Sequence, residues 1–262
     1  MTDFNRNAAA AYGRPLTRAE AAVVDEGLRA YMLRIYNYMV IGLAITGFAA
    51  LGIYMLSVTN DPAFAVAKVR NIMLTNVGYA LFISPLKWAV ILAPLALVFF
   101  LSFRIQSMRP ATAQITFWIY AALVGVSLGS IFLIYTHTSV VRVFFITAAS
   151  FGALSLYGYT TQRDLTGIGS FLIMGLFGIV IASLVNIFVA STMLQWIISV
   201  VGVLVFAGLT AYDTQRLKSE YIYGAMEGDI MERSAIMGAL SLYLDFLNLF
   251  TMLLQLLGTR DE

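Results

Sequence analysis

The stretch Ile168–Val189, IGSFLIMGLFGIVIASLVNIFV, is an apolar run of the length that crosses a bilayer as one helix. Working outward, six further stretches qualify in the same way: Ile35–Leu56, Gly78–Phe103, Ala113–Tyr135, Val143–Tyr159, Met193–Tyr212 and Ile236–Leu257. The expected fold class is therefore all-α, a polytopic membrane protein with seven transmembrane helices. Composition agrees. Of 262 residues, 60% are hydrophobic and 11% charged, against roughly 25% charged in ordinary soluble domains. A soluble globule could not cover so much apolar surface with so few charges. Val143–Tyr159 is the shortest of the seven stretches, and Gly78–Phe103 is interrupted by Pro85 and Pro94. A proline inside a span predicts a kink and a carbonyl without its usual donor.

The net charge of +2 and the lack of any Arg/Lys run argue against a nucleic-acid partner. Cysteine is absent and His137 is the lone histidine, which removes disulfides, thiolate metal sites and a Cys nucleophile, and argues against a zinc or di-iron centre. No resident cofactor is expected. The first apolar run begins near Ile35, too far along for a typical signal peptide, so the first span is expected to persist. Two regions are expected: a cytosolic segment over residues 1–33, and a seven-span membrane domain over 34–262. In the first, residues 1–12 read as disordered. Thr17 and Glu20 then have capping-box spacing, and Ala21, Val24, Leu28 and Tyr31 recur at helical intervals, predicting an amphipathic helix along the membrane surface.

Orientation follows from Lys and Arg in alternating loops. With a cytosolic amino terminus, eleven of the 16 fall on the cytosolic side. Four, Lys68, Arg70, Arg142 and Arg260, fall opposite, and Lys87 lies within the second span. The carboxyl terminus is then outside.

Asp245 stands about ten residues into the last span, where an ionised carboxylate costs roughly 2.5–3.5 kcal/mol unless paired, protonated or facing water. Ser241, Asp245, Asn248, Met252 and Gln255 fall at i, i+4, i+7, i+11 and i+14, a mostly polar stripe that points into protein. Asp213 closes the sixth stretch; an aspartate there can also be solvated, or pair with Arg216 one turn on. The sixth span runs inward to Asp213 and the seventh runs outward past Asp245, so both carboxylates are expected between the midplane and the cytosol. Arg104 ends the second stretch on that same side, able to snorkel to lipid phosphates or to reach a carboxylate. Lys87, beside Trp88, reads as an interfacial anchor.

Two close carboxylates do not both ionise cheaply and tend to share one proton. Such a pair can act as a proton-controlled latch on a cavity mouth. Its oxygen ligands and negative charge also suit transient calcium better than soft metals. Small residues recur around the third to fifth stretches, among them Gly125, Gly129, Gly152, Gly167, Gly169, Gly175 and Gly178. They serve close helix packing, or else flank a water-filled cavity.

From about Leu28 onward the sequence resembles the bacterial branch of the Bax-inhibitor family of seven-span membrane proteins. The resemblance rests on Ser241–Phe250, SLYLDFLNLF, supported by Tyr212-Asp213-Thr214-Gln215 and by Leu154–Leu165. It implies six helices wrapped around a central C-terminal helix and a pH-sensitive calcium leak closed by an aspartate pair, for which Asp213 and Asp245 stand in position. It also implies an arginine at the end of the second helix that pairs with the first aspartate, to which Arg104 corresponds. Some bacterial members look instead like modulators of a membrane protease.

The leading expectation is a cation leak channel or exchanger in the bacterial inner membrane, with the bilayer, calcium and protons as partners. The alternative is a non-conducting regulator that binds a membrane protease or other complex. An enzyme is not expected. Leu242-Tyr243-Leu244 precedes Asp245 where an intramembrane aspartic protease has Gly-x-Gly, and Ser127 is followed by Leu128 rather than Gly. The last span also has no lysine for a retinal Schiff base.

Overall fold

Several helix ends of this chain lie where hydropathy alone does not put them. The computed structural model describes residues 18–69, 71–224 and 228–261. Eight helices are numbered here: α1 (Arg18–Ser57), α2 (Asn76–Phe82), α3 (Leu86–Arg104), α4 (Pro110–Leu128), α5 (His137–Thr160), α6 (Thr166–Val189), α7 (Thr192–Gly224) and α8 (Gly228–Leu257). Among the described residues seven helical segments are long and apolar enough to cross a membrane, one in each of α1 and α3–α8. The chain is an all-α polytopic membrane protein.

Several boundaries differ from the sequence expectation. The stretch Gly78–Phe103 is two helices, with the break at Ile83–Pro85. Pro85 has no N–H and disfavours a helical residue before it, so α2 stops and α3 starts afresh. Pro94, by contrast, is carried inside α3. The fourth span is not the shortest: α5, which contains Val143–Tyr159, has 24 residues, as many as α6. Its first turns carry His137, Ser139 and Arg142, which lowered the apolar signal without stopping the helix. The sixth stretch was expected to close at Asp213, yet α7 continues to Gly224. Asp213, Arg216 and Glu220 pair along it at i,i+3 and i,i+4, so its charges are met within the helix. The start of the chain, including the expected disordered tail and the capping box at Thr17, lies outside the described residues. From Arg18, α1 runs unbroken for 40 residues, so the amphipathic segment and the first span form one helix.

The chain divides into two units. The first holds α1 up to Asn37 and residues Val143–Leu257. Its centre is α8, whose Ala235, Ile236, Ala239, Leu242 and Tyr243 have no exposed surface. Leu28, Tyr31, Met32 and Ile35 of α1 are also buried. Phe246 is contacted edge-on by Phe144 and Phe151 of α5, and Leu249 joins a cluster with Leu172 and Ile179 of α6 and Ile198, Val205, Phe206 and Leu209 of α7. Of the seven spans α8 is the most enclosed, 44% of its apolar window being buried against 11–33% elsewhere.

The second unit holds Tyr38–Arg142 and the residues from Gly258. Here the sequence reading missed a small antiparallel sheet of β1 (Val58–Thr59), β2 (Ala67–Val69) and β3 (Ile72–Leu74), with β3 in the middle. Thr46 of α1 bridges to α4, its Oγ1 donating to Ala121 O at 2.9 Å. Gly125 lets the backbones meet there: a Cβ on it would stand 2.5 Å from Thr46 O. Gly158 does the same in the first unit, where a Cβ would stand 2.2 Å from Ala211 O. Gly152, Gly167 and Gly178 have nothing within 4 Å. Close packing therefore accounts for some of the small residues and not for others.

Candidate functional site

α7 and α8 pack side by side, and the two aspartates come with them. Asp213 is 8% exposed and Asp245 6%. Arg216, one turn beyond Asp213 on α7, places Nη1 3.2 Å from Asp213 Oδ1. Its Nη2 donates to Ser241 Oγ of α8 at 3.3 Å, and its Nε lies 3.5 Å from Glu220 Oε1. Asp245 lies within electrostatic reach of both Asp213 and Arg216, and Asp213 within that of Arg216 and Glu220. Asp245 Oδ2 is buried and has no hydrogen-bond partner among the described residues.

The polar stripe of α8 divides along its length. Ser241 and Asp245 belong to this cluster. Asn248 turns to its own helix, Nδ2 donating to Leu244 O at 2.8 Å. Gln255, ten residues past Asp245 and about 15 Å along the axis, belongs to a second cluster. Its Oε1 accepts from Gln195 Nε2 and from Ser199 Oγ of α7, each at 2.6 Å. Asn186 of α6 joins them, Nδ2 donating to Gln195 Oε1 at 3.0 Å. Arg104 ends α3 in the second unit, where it is exposed.

Chemically, the first cluster sets two enclosed carboxylates against one guanidinium that Glu220 also claims. With Glu220 counted, three carboxylates share one guanidinium, so two negative charges are left uncompensated when all three are ionised. Calcium takes six to eight oxygens, and among the described residues no group of three or more His, Asp or Glu side chains forms a metal cage.

Residues 28–262 match the family described as "Inhibitor of apoptosis-promoting Bax1". The chain belongs to this Bax inhibitor family. Among its relatives is an uncharacterized protein of Rickettsia prowazekii, 45% identical over 94% of this chain and 96% of the relative. A Caulobacter vibrioides protein is 43% identical over the full length of both. The inner membrane protein YbhL of Escherichia coli is 44% identical over 89% of this chain and 93% of its own.

Further contacts of this Bax inhibitor family member hold α7 and α8 in place; several of the residues lie in the stretches that carry the resemblance, but which of them pair was not legible in the sequence. Tyr36 OH, Ser155 Oγ and Thr214 Oγ1 form a chain of hydroxyls from α1 through α5 to α7, at 2.5 and 3.0 Å. Gln215 accepts from Leu165 N–H and donates to Arg163 O, both at 2.8 Å, tying α7 to the turn between α5 and α6. Arg34 pairs with Glu232, and Tyr31 OH meets Ser234 Oγ at 2.9 Å. Only the Asp213, Arg216, Glu220 spacing carried a signal in sequence. The other partners are 50 or more residues apart and share no spacing rule.

Proposed function

We propose that the protein is a pH-sensitive leak channel or exchanger for cations, calcium among them, controlled by a proton held between Asp213 and Asp245. One observation carries this reading: Asp245 Oδ2 is buried with no donor, beside a second carboxylate. A bare carboxylate oxygen in that setting needs a proton or a cation. Arg216 pairs with Asp213 and is shared with Glu220, so Asp245 is left without a compensating charge of its own. Proton and cation then compete for one place, and cation occupancy falls as the medium becomes more acid. The reading is of a conduit, and no catalytic step is assigned to it.

The likeness to YbhL, an inner membrane protein of Escherichia coli, supports an inner-membrane setting. The Lys/Arg bias supports a cytosolic amino terminus, with the aspartate pair towards the cytosol. The test is calcium flux into proteoliposomes across a pH series, wild type against Asp213→Asn and Asp245→Asn. Asp245→Asn is expected to change both the flux and its pH dependence, because the shared proton is lost. Wild-type flux with a wild-type pH profile in that variant would end the latch.

A further inference from the structure

Resting on the reading above, the geometry points to Arg216 as a tethered counter-cation, which occupies Asp213 when no divalent cation is present and has to move aside before one can bind. Three observations carry this. First, Arg216 meets Asp213 through one nitrogen at 3.2 Å, not through a two-pronged fork. The contacts to Ser241 and Glu220 are longer, at 3.3 and 3.5 Å. Charge-assisted pairs that hold firmly are usually bidentate and near 2.7–2.9 Å. This hold is loose.

Second, the arginine has somewhere to go and the carboxylates do not. The Arg216 side chain is 36% exposed, the Asp213 side chain 12%. A guanidinium on a flexible stem can leave such a position, with Glu220, 42% exposed, as its outer partner. Third, Ser241 Oγ of α8 steadies Arg216 from across the helix pair. The same residue that neutralises Asp213 thus bridges α7 to the helix that carries Asp245.

A guanidinium stays protonated in proteins, so its charge is a fixed opponent of any cation arriving at the pair. Removing that charge leaves two carboxylates to attract a divalent ion unopposed. At these separations, with an effective dielectric near 20, the gain is about 10-fold or more in affinity. Ser241→Ala removes one hydrogen bond from the resting arginine and is expected to tighten binding by about two- to fivefold.

The experiment is calorimetric titration of Ca²⁺ into the full-length protein in lipid nanodiscs, at one pH, for wild type, Arg216→Gln, Arg216→Lys, Ser241→Ala and Asp245→Asn. Arg216→Gln is expected to bind about 10-fold tighter or better. Arg216→Lys, which keeps the charge, should stay near wild type, and Ser241→Ala should fall between. A purely structural role predicts instead that both Arg216 variants bind more weakly. If Arg216→Gln and Ser241→Ala match or fall below wild type while Asp245→Asn abolishes binding, the counter-cation is overturned and the aspartate site stands. If no variant and no wild type shows saturable binding, the site reading falls and this inference with it. Should Arg216→Gln fail to fold, Ser241→Ala decides alone.

Discussion

On the proposed reading, Asp245 is where fold and function pull against each other. A carboxylate enclosed in a span, with one oxygen lacking a donor, costs roughly 2.5–3.5 kcal/mol when ionised. Asp245→Leu is therefore expected to raise the thermal unfolding midpoint in detergent while abolishing the pH response of cation flux. A lower midpoint would mean that Asp245 has a stabilising partner and that its open oxygen is no sign of function. The sequence made Asp245 visible, because an acid in an apolar helix with polar neighbours at i−4, i+3 and i+10 has few other readings. Arg216 was visible only as a neighbour of Asp213 on one helix. That it also reaches Ser241 depends on how α7 and α8 are rotated against each other, and helical periodicity alone does not specify that rotation. The amide cluster of Asn186, Gln195 and Gln255 was hidden for the same reason: each residue could be read, but not which amide meets which.

At the level of whole helices, hydropathy located seven spans and misjudged several ends. The windows report where lipid contact begins and stops, whereas a helix stops where its backbone or caps require. α7 passes 12 residues beyond the apolar stretch because its charges are satisfied by one another. α3 begins late because Pro85 interrupts an otherwise apolar run. The three-stranded sheet between α1 and α2 was illegible because its strands are two or three residues long, too short to show alternation. Helix approach shows the same division. Small residues announced close packing in general, and the coordinates identify Gly158 as the point where α5 meets the backbone of α7. An added Cβ would stand 2.2 Å from Ala211 O and 2.9 Å from Ala211 C, and backbone atoms there have little room to give. Gly158→Ala is expected to destabilise the protein by about 1–3 kcal/mol, whereas Gly152→Ala in the same helix, with nothing within 4 Å, should be nearly neutral. Equal unfolding midpoints for the two variants would show that α5 and α7 adjust freely at this crossing.

For the molecule as a whole, the proposed control by protons depends on which side of the membrane the aspartate pair faces. Charge bias supplies the expectation, and the chain itself supplies the means of checking it, because it contains no cysteine. Single cysteines placed at exposed positions in loops then report orientation without background. Gln162, in the turn between α5 and α6, and Lys68, on β2, are both exposed. With the amino terminus in the cytosol, an impermeant maleimide added to intact cells should label Lys68→Cys and leave Gln162→Cys unmodified until the membrane is opened. The sixth span then enters from outside, and Asp213 and Asp245 are nearer the cytosol, where they would sense cytosolic pH. The reverse labelling pattern would place the pair near the outer face. The same two carboxylates would then answer to the pH outside the cell, and the positively charged loops would stand against the usual rule for their side.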